Sequence, residues 1–382
     1  MKKIIILGTT ANSMMGFRLP LIKNFISKNI IVYCLTNDFT PAQISQLKNM
    51  GAIPILYPVN RSGFNPIQDI INTYKLYKII KTLNADTLLA YFVKPIVYGT
   101  IAAYFAGIKK RYAMIEGLGF FFTEQPNKNN SIKTSIIKLM QTFLYKVSLP
   151  LTSGVILLNN DDKRDLIQKY NIKINKILII PGIGLNLSDY PYNPLKEHRT
   201  PLSFLFIGRL LKEKGINEFI AAARYIKSQH PEVLFKVAGS IDSNNPGSIS
   251  HEEFNELKQL NIIEFLGQVN NIATVISESD VFVLPSYREG MPRSTQEAMA
   301  VGRAVITTNA PGCNESIINL EHGFIINKWS TSELIDKIVY FINHPHITVT
   351  MGQKAHLHAM KYYNCDNTNQ QIFFFINEEI NS

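Results

Sequence analysis

Cysteine is scarce: Cys34, Cys313 and Cys365 are the three in 382 residues, and no two form a C-x-x-C pair. That excludes a disulfide framework or a thiolate zinc knuckle and suits buried, reduced thiols in a cytoplasmic protein. Asp-x-Asp is missing, the nearest approach being adjacent Asp161-Asp162 in a polar stretch. A metal-bound diphosphate normally calls for such carboxylates. No histidine precedes His198. Charged residues make up 18% of the chain, against ~25% in ordinary soluble proteins. Long apolar runs are also absent. The best candidate, PIVYGTIAAYFAGI at 95–108, lies between Lys94 and Lys109-Lys110-Arg111. It falls short of the ~20 residues that cross a bilayer and reads as a buried helix. Lys2-Lys3 and the apolar residues after them resemble the start of a secretory signal, but the run stops at Gly8, so it reads as a first buried strand. There is no short-period repeat and no low-complexity tract.

What is present is a 46% hydrophobic chain of 382 residues, which suits two domains better than one core. The charge is lopsided. Residues 1–200 carry 25 Lys and Arg against 10 Asp and Glu, and the remainder carries 14 against 19. A basic half joined to an acidic half points to an anionic partner on one side: nucleic acid, an anionic membrane leaflet or a phosphorylated lipid. No nucleic-acid recognition module accompanies the charge.

Apolar runs alternate with helical patterns along both halves. Strands are expected at 3–8, 30–36, 52–59, 86–91, 111–117, 154–160 and 176–182, then at 202–208, 234–239, 262–267, 281–286, 304–308 and 322–327. Helices are expected near 17–29, 41–50, 66–83, 96–107, 216–229 and 270–278, and up to about 301. This order predicts an α/β protein with two doubly wound, Rossmann-like domains facing across a cleft. The Pro-rich PYNPLKEHRTP at 191–201 is the linker. The expected division is 1–190, 191–352 and a helical 353–382 that returns to the first domain.

REGMPRSTQEAMAVG at 288–302 follows the strand VFVLPS and holds two acids, Glu289 and Glu297. Glu297 fits a capping box with Ser294, and Glu289 fits a loop residue facing water. Their neighbours suggest more. Gly290 lets backbone approach a ligand, and Pro292 suits a helix start whose N–H groups and dipole attract phosphate. An acid on each side of a diphosphate site suits the hydroxyls at the two ends of a nucleotide sugar. GRLLKEKG at 208–215 follows another strand. There Gly208 and Gly215 allow tight turns, while Arg209 and Lys214 can converge on phosphate oxygens. FLGQVNN at 265–271, with Val269, would cover a nucleotide base through backbone contacts.

GRLLKEKG, EFLGQV and DVFVLPSYREGMPRSTQEAMAVGRAVITTNAPGCNE, with Glu289 and Glu297 as an E-x7-E pair, resemble the family-four retaining glycosyltransferases of the GT-B fold. FRLPLIK at 17–23, RSGFNPIQDI at 61–70 and IEGLGFFFTEQ at 115–125 resemble a narrower bacterial branch. Its members add a hexose or N-acetylhexosamine to a sugar on undecaprenyl diphosphate in capsule, O-antigen or glycan assembly, N-acetylgalactosaminyltransferases among them.

The resemblance implies a UDP-sugar donor, no cofactor, a lipid-linked acceptor, and a cytoplasmic enzyme peripheral to the inner face of the bacterial inner membrane. Glu289 would contact donor-sugar hydroxyls and Glu297 the ribose. Arg209 and Lys214 would hold the diphosphate in place of a metal, and Gly290, Met291, Pro292 and Arg293 would approach the donor along the backbone. Many relatives carry a first-domain histidine that this sequence lacks. Glu116, at a strand end, is then either the polar group at the acceptor hydroxyl, a candidate base, or a brace for Gly117-Leu118-Gly119. IEGLGFFF offers two glycines of a dinucleotide fingerprint but Phe122 in place of the third, which excludes that site. Gly8 to Gly16 reads as a loop on the acceptor side, with Gly16, Asn12 and Ser13, and Arg18 just beyond. SIKTSIIKLMQTFLYKVS at 131–148, with Lys133, Lys138 and Lys146, reads either as an interfacial amphipathic helix on an anionic membrane or as an ordinary packed helix. A UDP-sugar 2-epimerase of the same fold is the alternative enzyme. A silent scaffold is disfavoured by the complete Arg209, Lys214, Glu289 and Glu297 set.

Overall fold

A computed structural model describes residues 2–59, 65–126, 132–196, 201–242, 245 and 247–378. Part of RSGFNPIQDI (61–64), part of the 191–201 linker (197–200) and the last four residues lie outside that range. The chain divides into two compact units. One comprises Met1–Leu118, Ser131–Ile183 and Cys365–Ser382, the other Gly119–Asn130 and Gly184–Asn364. Besides those that bracket 119–130, the changeovers fall at 183/184 and 364/365, where the sequence reading placed 190/191 and 352/353.

The first unit is built on seven strands: β1 (Lys3–Leu7), β2 (Ile31–Thr36), β3 (Ile53–Leu56), β4 (Thr87–Tyr91), β5 (Lys110–Ile115), β6 (Gly154–Leu157) and β7 (Ile177–Ile179). Their spatial order is β3-β2-β1-β4-β5-β6-β7, and every pairing is parallel. β4 and β6 are buried at every residue, as expected of parallel strands covered on both faces. The connections run first to one side of β1 and then to the other, so the sheet has a switch point between β1 and β4.

The second unit repeats the plan with β8 (Ser203–Ile207), β9 (Leu234–Ala238), β10 (Glu264–Gly267), β11 (Val281–Leu284), β12 (Ala304–Thr308) and β13 (Gly323–Ile326). Their order is β10-β9-β8-β11-β12-β13, again parallel, with the switch point between β8 and β11. Its core joins Phe204, Phe206, Phe219 and Phe235 to the inner faces of β11 and β12.

Three local differences from the sequence reading have physical causes. The stretch after Gly8 is a helix, Ala11–Phe17, rather than a loop. Asp38, just past β2, accepts the Ala11 N–H at 2.5 Å and supplies the cap that Thr10 does not. The helix expected at 96–107 opens as a π-helix, Pro95–Gly99, before Thr100–Phe105. A helix at His251–Gln259, capped by Ser250, lies where only a connection was expected. Among the described residues, no helix is long and apolar enough to cross a membrane.

Candidate active site

In an open α/β sheet, ligands bind beyond the carboxyl ends of the strands at the switch point. In the second unit that edge carries the loops after β8 and β11, which hold the charged residues singled out above. Lys214 Nζ lies 2.5 Å from Glu289 Oε1. Ser286 Oγ donates to the same oxygen at 2.8 Å and reaches the Glu213 carbonyl at 3.0 Å. The Glu289 side chain is 11% exposed, enough to reach a ligand while its position is fixed from behind. Two glycines make this packing possible. Gly215 sits at φ +77°, and a Cβ there would overlap the Pro285 carbonyl; Gly312 sits at φ +75°, and a Cβ would overlap the Glu289 carbonyl. The Glu289 N–H is bound by the Pro311 carbonyl at 2.9 Å, so a strand-to-strand loop crossing fixes the acid's backbone.

Glu297 lies one helix turn further on. The helix Arg293–Val301 starts after Pro292, with no side-chain cap. Ser294 is therefore inside the helix, and Glu297 does not close a capping box. Its Oε1 instead accepts from Tyr190 Oη at 2.7 Å and from Arg293 Nε at 2.9 Å. Burial lowers the Arg293 guanidinium, but Glu297 and Tyr190 outweigh it and hold the group above its ordinary value. The Tyr190 hydroxyl is pushed up to about 12 by burial and by Glu297. Gly290, Met291 and Pro292 are buried between the two acids.

Arg209 is not gathered with Lys214. Its guanidinium is 53% exposed and pairs with Asp242 at 2.7 Å, a residue just past β9. An exposed guanidinium pairs readily with a neighbouring carboxylate. Gly208 binds the Ala238 carbonyl at 3.0 Å through its N–H, and Val269 packs at the rim of the core.

In the first unit, the carboxyl ends of β1, β4 and β5 hold a second cluster. Arg18 is 1% exposed. It pairs with Glu116, which follows β5, and lies 4.3 Å over the Tyr91 ring at the end of β4. Tyr91 Oη is 3.4 Å from Ser13 Oγ. Ser13, Tyr91, Arg18 and Glu116 thus form one connected group, buried except for a partly exposed Glu116. Asn12 points elsewhere, accepting from Gln43 at 3.0 Å, and Gly16 is open on all sides. Tyr190, Ser286, Tyr91 and Asp242 were not singled out in the sequence; no local motif marks them.

Two families match. Residues 193–358 match "Glycosyl transferases group 1", and residues 3–149 match "Glycosyl transferase 4-like". The chain is 28% identical, over 94% of its length and 94% of the relative's, to the N,N'-diacetylbacillosaminyl-diphospho-undecaprenol α-1,3-N-acetylgalactosaminyltransferase of Campylobacter jejuni. It is 29% identical to the UDP-Gal:α-D-GlcNAc-diphosphoundecaprenol α-1,3-galactosyltransferase of Escherichia coli, over 72% of this chain and 70% of that one. Among solved structures, sucrose-phosphate synthase of Thermosynechococcus elongatus superposes with a TM-score of 0.77 at 16% identity, covering 98% of both chains. Anabaena HepE, solved with UDP and glucose, gives 0.74 at 17% identity, covering 98% of this chain and 99% of its own. The chain is a GT-B glycosyltransferase. The UDP-sugar 2-epimerase kept as the alternative finds no support in these matches. The glycosyltransferase carries the 3–149 segment mainly on the seven-stranded sheet and the 193–358 segment on the six-stranded sheet.

Proposed function

We propose that this glycosyltransferase moves a hexose or N-acetylhexosamine from a UDP-sugar to a sugar on undecaprenyl diphosphate, with retention and without a metal. The observation that carries the donor side is the Lys214–Glu289–Ser286 group at the β8/β11 switch point, followed by the Arg293–Val301 helix start. Glu289 accepts from donor-sugar hydroxyls. Glu297, flanked by Tyr190 and Arg293, accepts from the ribose. Lys214, and Arg209 on release from Asp242, meet the charge that grows on the diphosphate as the C1–O bond breaks. These two cations, with the helix N-terminus, supply the positive charge a metal would otherwise provide. Attack and departure on one face place the acceptor O–H beside the leaving oxygen, which can take its proton. No protein nucleophile is assigned.

Glu116 takes the acceptor side. Its ion pair with buried Arg18 favours a fixed carboxylate that orients a hydroxyl over a mere brace for the glycine turn. The lipid-linked acceptor and the two named relatives suggest an enzyme working at the inner face of the membrane. The helix Ile132–Ser148 supports that reading. Ile132, Ile136, Leu139, Phe143 and Val147 are exposed along one stripe, while Gln141, Thr142 and Tyr145 face inward. Apolar residues outward with lysines beside them suit an interfacial helix.

The test is transfer from a panel of UDP-sugars to prenyl-diphosphate-linked sugars in EDTA, with mass and anomeric analysis of the lipid product. One added sugar in the donor's anomeric configuration, lost in Glu289→Ala, is the expected result. An inverted product, or activity only with added metal, would refute the corresponding part.

A further inference from the structure

An apolar groove in the first unit lies away from the residues named so far. It has a volume of about 520 Å³ and runs between the helices Pro66–Leu83 and Thr100–Phe105, within the ~300–1,000 Å³ typical of ligand sites. Ile70, Tyr74, Tyr77, Ile101 and Phe105 line it. Ile70 and Phe105 are 69% and 71% exposed, an unusual place for large apolar side chains unless something covers them. At one end the groove shares Thr73 and Tyr98 with a much smaller pocket whose lining includes the polar residues Asp69, Asn72 and Lys94 beside Val59, Leu76 and Pro95. Lys94 Nζ binds both Asp69 oxygens, at 2.9 and 3.2 Å, and Tyr98 Oη binds Asp69 at 3.2 Å. Lys94 and the π-helix that carries Tyr98 begin just past the carboxyl end of β4. That is the sheet edge where Tyr91, Arg18 and Glu116 sit. Along the other helix, Lys78 lies 4.6 Å from the Tyr74 ring and Lys81 Nζ lies 3.0 Å from Tyr77 Oη. Asp69, the helix's acid, is buried and already engaged.

We propose that this groove holds the isoprenoid chain of the acceptor lipid. The polar end, with Lys94, Tyr98 and Asn72, faces the diphosphate, and the chain lies along the apolar walls. The assignment rests on the acceptor class proposed above. An apolar channel that ends in polar donors at the catalytic edge, flanked by lysines, matches an amphiphile with a long hydrocarbon tail and an anionic head. Asp69 acts as the anchor that fixes Lys94 and Tyr98.

The experiment is photolabelling of the full chain with benzophenone-tagged geranylgeranyl diphosphate, without detergent, followed by peptide mapping. The label is expected in peptides covering 66–83 or 95–105. Its yield should fall about tenfold in the Ile70→Ser/Phe105→Ser double variant. It should hold in Phe374→Ser, an equally exposed aromatic elsewhere on this unit. Both groove residues are exposed, so the variant's fold is not at stake. The same variant should raise the acceptor KM by a similar factor for long-chain acceptors, and leave a short alkyl-linked acceptor and the donor KM unchanged. Label elsewhere, equal label in the double variant, or full displacement by phosphatidylglycerol vesicles would overturn the proposal, the last in favour of a bilayer contact. If label misses the groove while prenyl-linked sugars are still extended, the groove assignment alone falls. Groove labelling with no transfer to any prenyl-diphosphate sugar would overturn the acceptor reading, and with it the occupant named here.

Discussion

Tyr287→Phe gives the sharpest test of how the second unit holds the loop that carries Glu289. Tyr287 lies between Ser286 and the Arg288-Glu289 pair, and its hydroxyl donates to Glu218 at 2.7 Å. Glu218 sits in the first turn of the helix Ile216–Gln229 and is 9% exposed. Burial raises its carboxyl above the ordinary 4.5, with the Tyr287 hydroxyl and its own N–H pulling the value partly back. Where Glu218 is ionised, removing the hydroxyl strips a donor from a buried carboxylate, a loss of about 2 kcal/mol. For a unit of this size that is a fall of roughly 4–8 °C in the midpoint. The pH dependence follows from linkage. A buried acid holds its proton to higher pH in the folded state than in the unfolded chain, so its contribution to stability declines as pH rises through the folded value. In Tyr287→Phe that folded value moves higher still, and the decline deepens. The gap between wild type and variant should therefore be smallest at the acid end of the range, where protonation of Glu218 is most complete, and widen as pH rises toward about 7.5. Thermal melts of both proteins across that range measure it. Repeating the comparison in a Glu218→Gln background should give a gap independent of pH. A gap that stays constant in the wild-type background, or narrows with rising pH, refutes the reasoning.

Three further outcomes are expected. Lys214→Met removes the cation nearest Glu289 and should lower kcat about 10²–10³-fold, with Lys214→Arg recovering part of it in the same transfer assay. Glu297→Gln weakens the acceptor shared by Tyr190 and Arg293; the donor KM should rise about tenfold with a smaller change in kcat, whereas a change confined to kcat would remove Glu297 from donor binding. Arg18→Met leaves Glu116 as a largely buried acid without its partner and should cost about 3–5 kcal/mol in denaturant unfolding, with Arg18→Met/Glu116→Gln regaining most of that loss.

The strands were legible because parallel strands buried on both faces read as unbroken apolar runs: KIIIL, TLLAY, GVIL, VFVL and AVITT are each a strand of the fold. The loops at their carboxyl ends were legible where chemistry is local, as in GRLLKEKG and REGMPRSTQEAMAVG. What escaped is whatever depends on sheet order. β8 and β11 are neighbours in space though Ile207 and Val281 are 74 positions apart, so the meeting of Tyr287 with Glu218, and of Lys214 with Glu289, has no signature in either stretch alone. Tyr190 reaches Glu297 across a still longer span. Arg209 shows a different limit: its residue type suits phosphate, but an exposed guanidinium goes to whichever anion is present, here Asp242. The helix Ile132–Ser148 shows a third. Periodicity reveals an apolar stripe without saying which way it faces, and partners settle the direction. Gln141 donates to the Leu118 carbonyl at 3.3 Å and Thr142 to the Lys138 carbonyl at 2.8 Å. Gln141 thus finds a partner beyond the helix, Thr142 bonds back to its own helix, both side chains are buried, and Phe143, Leu139 and Ile136 are left outside. A stripe turned out in this way loses the hydrophobic gain of burial within the chain, about 25 cal/mol per Å². That gain is available from an apolar partner, so the same physics that hid the helix's direction from the sequence makes its outward face the feature that supports the lipid surface proposed above.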